Sequence, residues 1–125
     1  MVEDFHFWLY LVNSVLLILH EMDSAYWQEW RLFRLPGGIA GFLAIHIPLL
    51  GLVLWGLVQV WQGTAAGLVF SLALAGSGIL AFAIHTIFIK RGHGEFTTTA
   101  SLMLLRLILV VSVIQLLITG YLALA

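Results

Sequence analysis

Four apolar stretches, each about 18 residues long or longer, limit what this chain can become: Phe5 to Met22, Ile39 to Val60, Leu68 to Ile89 and Ala100 to Leu124. An α-helix rising about 1.5 Å per residue needs that length to cross a hydrocarbon core of roughly 30 Å. The stretches are too long for strands and lack period-two alternation. The expected fold is therefore all-α, a four-transmembrane-helix bundle forming one domain over residues 1–125. Turn formers separate the spans at Leu35-Pro36-Gly37-Gly38 and Gln62-Gly63-Thr64, and the charged, glycine-broken segment Lys90-Arg91-Gly92-His93-Gly94-Glu95 separates the last two. Thr97, Thr98 and Thr99 offer N-cap hydroxyls to the fourth helix.

Composition agrees with lipid as the solvent. The chain is 62% hydrophobic and 9% charged, too few polar residues to cover a water-soluble core. A net charge of -1 leaves no basic surface for nucleic acid. Cysteine is absent, which excludes disulfides, thiolate metal sites, iron–sulfur clusters and thiol catalysis. The acidic start Met1-Val2-Glu3-Asp4 is unlike a secretory leader, so the first apolar stretch is read as a retained helix. Arg31, Arg34, Lys90 and Arg91 all fall in the first and third loops, while the opposite face carries Glu3, Asp4, Gln59 and Gln62. The positive-inside rule then predicts a multi-pass protein of the inner (plasma) membrane with both termini outside the cytoplasm.

The first loop has its own pattern. From Ser24 to Arg34, Tyr26, Trp27, Trp30 and Phe33 recur at helical spacing opposite Gln28, Glu29 and Arg31. This predicts a short helix lying in the interface between the first two spans, with Trp at headgroup depth.

Ionisable side chains are costly inside a membrane, and their placement is the strongest functional signal in the chain. His20, Glu21 and Asp23 lie at the end of the first span, His46 about two turns into the second and His85 about one turn from the end of the third. His93 and Glu95 follow in the third loop, so all of these share the cytoplasmic end, with His6 alone at the other. If the first helix continues past Met22, Asp23 and Ser24 share the face of His20. Imidazoles and carboxylates supplied by several helices to one bundle interior are the ligand pattern of carboxylate-rich metal sites. The expected ligands are His20, Asp23, His46 and His85, with Glu21 as catalytic base and His93, Glu95, Arg106 and Glu29 as further ligands or substrate contacts. Such a nitrogen and oxygen set suits a divalent transition metal such as zinc or iron.

Each residue also has a plainer role open to it. His20 can bond Asp23, His46 a backbone carbonyl near the helix-bending Pro48, and His85 a partner across the small-residue face of Ser71, Ala75 and Gly78. Arg106 can snorkel to the headgroups or pair with Glu21 or Asp23. Asn13, Ser14, Ser112, Gln115 and Thr119 read as interhelical hydrogen-bond partners.

His20-Glu21-Met22-Asp23, Glu29-Trp30-Arg31, His46-Ile47-Pro48, His85 and His93-Gly94-Glu95-Phe96 together resemble a family of small, uncharacterised bacterial integral membrane proteins with four helices. The resemblance runs through Phe96, roughly three-quarters of the chain, and implies that His20, Glu21, Asp23, His46, His85, His93 and Glu95 act as one set. It implies no activity. The residues themselves point to a metal-dependent enzyme acting on a lipid or other apolar small molecule in the bilayer. Two other classes fit the same residues: a noncatalytic accessory subunit of a larger membrane complex or a small transporter, and an electron carrier in which two of the helix histidines ligate haem. The glycine and alanine face of the third span suits an internal contact or a homo-oligomer.

Overall fold

The turn formers fall where the helices stop. A computed structural model describes residues 1–125 as five helices and no strand: α1 (Val2–Tyr26), α2 (Glu29–Leu32), α3 (Gly38–Trp61), α4 (Ala65–Lys90) and α5 (Thr99–Leu124). The four long helices are all long and apolar enough to cross a membrane. Each outruns its apolar stretch, because hydropathy marks the hydrocarbon section whereas caps and turns set the helix end. Thr64 Oγ1 accepts from the Gly67 amide and Thr98 Oγ1 from the Ser101 amide, both at 3.1 Å. Of the three candidate threonines Thr98 is thus the cap, and the Thr97 hydroxyl donates to the Gly94 carbonyl instead. Gly37 and Gly38, at φ 98° and 57°, make the left-handed turn that starts α3 and that a side chain would strain.

The helix of the first loop is shorter than its pattern predicts. α1 carries on through Tyr26, and its last turn is tied by the Trp27 indole N–H donating to Asp23 Oδ1 at 3.1 Å. The break comes at Gln28, whose φ of 54° turns the backbone left-handed and leaves α2 a single turn. Arg34, at φ 55°, closes it.

Successive long helices alternate in direction, so α1 and α4 run parallel and form the centre of the bundle. α3 packs on one side of that pair and α5 on the other, and α3 and α5 do not meet. The interior is inverted relative to a water-soluble protein: eleven polar side chains are buried against nine apolar ones, while Ile47, Val69 and Leu117 stand two-thirds exposed or more. A surface of that kind is stable only where the surroundings are themselves apolar. The chain is a multi-pass membrane protein.

Much of the buried polarity is one network near the termini, joining α1, α4 and α5. The Asn13 amide donates to Gln115 Oε1 at 2.8 Å and Ser112 Oγ at 3.0 Å, and the Gln115 amide donates to Ser71 Oγ at 2.9 Å and the Ser71 carbonyl at 3.1 Å. Thr119 spends its proton on the Gln115 carbonyl at 2.7 Å, while Ser71 and Thr119 lie 2.8 Å apart and both approach His6 Nε2. Two hydroxyl protons cannot serve all these contacts. They are all attractive when His6 carries its proton on Nε2 and donates it, which assigns that tautomer. The expected interhelical bonds of Asn13, Ser112, Gln115 and Thr119 are therefore present, with His6 among them, whereas Ser14 turns back to the Tyr10 carbonyl at 2.8 Å. Two glycines allow the close approach: Gly56 admits the Tyr10 hydroxyl, which donates to the Val53 carbonyl at 2.8 Å, and Gly78 admits Ser112.

Candidate functional site at the α2 end

The other end of the bundle carries two pairs of ionisable side chains rather than one ring of ligands. The first pair joins α1 to α3. His46 Nε2 lies 2.6 Å from Glu21 Oε2, and His46 Nδ1 lies 2.7 Å from the Phe42 carbonyl one turn earlier on α3. A carbonyl only accepts, so Nδ1 carries a proton and Nε2 is the nitrogen left to exchange one. The short contact to Glu21 then requires a single shared proton, held either by the imidazole or by the carboxyl group. The Phe42 ring stacks on the imidazole at 3.9 Å, and with the carbonyl bond it fixes the ring in place.

The second group is more deeply buried. His20 of α1 and His85 of α4 are 1% and 3% exposed and meet edge to face with centroids 4.5 Å apart. His85 Nδ1 donates to the Ala81 carbonyl at 2.8 Å, which leaves Nε2 free; Glu29 Oε1 of α2 approaches it at 3.5 Å without completing a hydrogen bond. His20 Nδ1 and His85 Nε2 are both buried without a hydrogen-bond partner. Phe96 closes this group from above, 4.4 Å from His85 and 5.9 Å from His20. It is 2% exposed and holds a φ of 66°, a left-handed conformation that a bulky residue adopts only under constraint.

Two cavities meet at the Glu21–His46 pair. One, of about 230 Å³, opens beside α2 and is bounded by Glu29, Trp30, Pro36 and Phe42. The other, of about 160 Å³, runs along α1, α3 and α4 toward the middle of the bundle between Leu17, Ile18, Leu50, Val53 and Leu74. Glu21, His46 and Leu49 line both.

The structure thus brings His20, Glu21, Glu29, His46 and His85 to one end of the bundle and divides them. Asp23 shares the face of His20 as its spacing predicts, but one of its oxygens accepts from Trp27 and the other has no partner. No three of the His, Asp and Glu side chains converge on a centre that one ion could occupy in this arrangement. His93 and Glu95 approach each other at 3.8 Å and line a separate cavity with Arg31 and Arg34. Arg106 lies outside the site. Leu105 and Ile108 take the inward positions of α5, so Arg106 faces out beside Thr99, Leu102, Met103 and Val110. Phe96 is the site residue the sequence did not single out, because nothing in a phenylalanine announces a positive φ.

A family model described as a family of unknown function matches residues 6–122, nearly the whole chain and all of this site. No curated protein and no solved structure matches it.

Proposed function

Because the chain belongs to that family of unknown function (DUF6713), which lends it no activity, we propose from the site itself that it is a membrane-embedded acid–base enzyme acting on a lipid, at the boundary between apolar chain and headgroup. The observation that carries the reading is the position of the Glu21–His46 pair, on the shared wall of two mainly apolar cavities, one beside the short turn α2 and one running toward the middle of the bundle. A lipid with its chain between α1, α3 and α4 presents its first polar bonds to that pair. In hydrolysis, the pair takes a proton from water as the water oxygen bonds the ester carbon or phosphorus. It returns the proton to the departing alkoxide oxygen as the old ester bond breaks. His46 is suited to this work because its Nδ1 bond fixes which nitrogen exchanges the proton.

The test is direct. The protein in proteoliposomes of defined phospholipids is expected to convert a lipid, read as new products by mass spectrometry. Lipid recovered unchanged from pH 5 to 8, with and without added zinc, iron, manganese or copper, would remove the proposal.

A metal-assisted form of this chemistry rests on a separate observation, the partnerless imidazole nitrogens of His20 and His85, the second of which the Glu29 carboxylate approaches at 3.5 Å. The His85 Nδ1 bond to a backbone carbonyl is the support that ligating imidazoles commonly have. Three such donors match zinc or iron in type, and their use as ligands requires the two imidazoles and Glu29 to rearrange onto a common centre. Metal analysis after reconstitution is expected to find about one ion per chain, lost in the His20→Ala, His85→Ala double variant. Equal metal in both proteins would exclude these ligands. A haem between the same two histidines is less consistent with the geometry, since a planar tetrapyrrole would have to part rings that touch each other and Phe96.

A further inference from the structure

The cations of this chain are segregated from its acids. Glu21 and Glu29 turn inward to His46 and His85, Asp23 is bound by Trp27, Glu95 faces His93, and Glu3 and Asp4 sit with the N-terminus. None of the five Lys and Arg side chains therefore has a carboxylate at salt-bridge distance, even though the net charge is only -1. Two of these free cations converge. Arg31 and Arg34 line a cavity of about 500 Å³ together with His93, and Leu32 and Phe88 form its apolar wall. That wall is held by edge-to-face contacts of Phe33 with Phe88 and Phe88 with His93, at 5.4 and 5.3 Å between ring centres. Glu95 is the sole acid on the rim.

We propose that this cavity, between α2 and the α4–α5 loop, binds the phosphate of an anionic phospholipid. Two guanidinium forks and an imidazole match the oxygens of a phosphodiester, and the leucine and phenylalanine wall suits the glycerol and first methylenes attached to it. Trp30, next to Arg31 on the same turn, is the kind of residue that lies at headgroup depth, where the bilayer itself supplies phosphodiesters. A zwitterionic lipid such as phosphatidylcholine brings an ammonium group against the arginines and is disfavoured. The site lies across α2 from the Glu21–His46 pair and stands whether or not that pair is catalytic.

Binding of phosphatidylglycerol and of phosphatidylcholine to the delipidated full-length protein, read by native mass spectrometry, tests the assignment. Phosphatidylglycerol is expected to bind at least tenfold tighter, and the double variant R31Q/R34Q to lose roughly thirtyfold of that affinity. K90Q/R91Q, which removes as much charge from the same loop end outside the cavity, is expected to lose less than about threefold. Equal binding of the two lipids, or equal losses in the two double variants, overturns the site. Displacement of the lipid by an equal concentration of inorganic phosphate assigns the cavity to free anions and overturns the lipid. Should R31Q/R34Q fail to fold, the lipid comparison and phosphate competition on the wild-type protein decide the matter alone.

Discussion

Glu21→Gln and His46→Gln each slow lipid turnover by about a hundredfold to ten-thousandfold, the range over which a positioned acid–base group contributes. The glutamine at position 21 makes this a test of chemistry. Its amide N–H can still donate to His46 Nε2 across the 2.6 Å contact, so the α1–α3 bond survives, but the amide has no proton to give up. The expected variant is one that unfolds at the same temperature as wild type and has lost its activity. Its pH–rate profile should also lose a limb, since one of the two groups sharing the proton is gone. Loss of activity accompanied by an equal loss of stability would mean that the pair merely holds α1 to α3.

A large effect on stability is expected midway along the bundle, from a single methyl group. In Gly78→Ala the new Cβ would lie 2.0 Å from Ser112 Oγ and 3.1 Å from Ile108, so Ser112 must turn away and α4 and α5 must part. Overpacking of this kind costs about 1–3 kcal/mol. Here it also removes Ser112 as a partner of Asn13, a residue with no water to turn to. Gly76→Ala is the control. Its Cβ meets nothing within 4 Å, and its expected effect is neutral to stabilising by at most about 1 kcal/mol. Reversible unfolding in mixed micelles reads both. Equal midpoints would mean that the α4–α5 contact is looser than the observed Ser112 approach implies.

The spans were legible because hydropathy over some twenty residues leaves a chain few alternatives in lipid. The clustering of His20, Glu21, His46 and His85 was legible for a related reason: position along a spanning helix is depth, and depth can be counted at about 1.5 Å per residue. What could not be counted is the rotation of one helix about its axis relative to another. That rotation gave His46 to Glu21 and left Asp23 to Trp27, so the expected ligands do not form one ring. Glu29 was named as a further ligand or substrate contact, but how it reaches the other residues could not be read, for a local reason. An unbroken helix through Ser24–Arg34 would place it on the polar outer face, but the left-handed turn at Gln28 swings it against His85, where it is 13% exposed. Arg106 had two readings, and its outward face fits snorkelling rather than a pair with Glu21 or Asp23, since the inward face of α5 belongs to Leu105 and Ile108.

Glu29 differs from its neighbours in how it is mounted. The three histidines beside it ride on helices of 24 to 26 residues, whose depth is set by the thickness of the hydrocarbon core they cross. Glu29 rides on one turn bracketed by the left-handed residues Gln28 and Arg34, and that turn is held by Trp30 against Phe42 and Phe33 against Phe88. The 3.5 Å gap between Glu29 and His85 therefore joins a long rigid helix to a single clamped turn, so the acid of this site is only as fixed as two aromatic contacts make it.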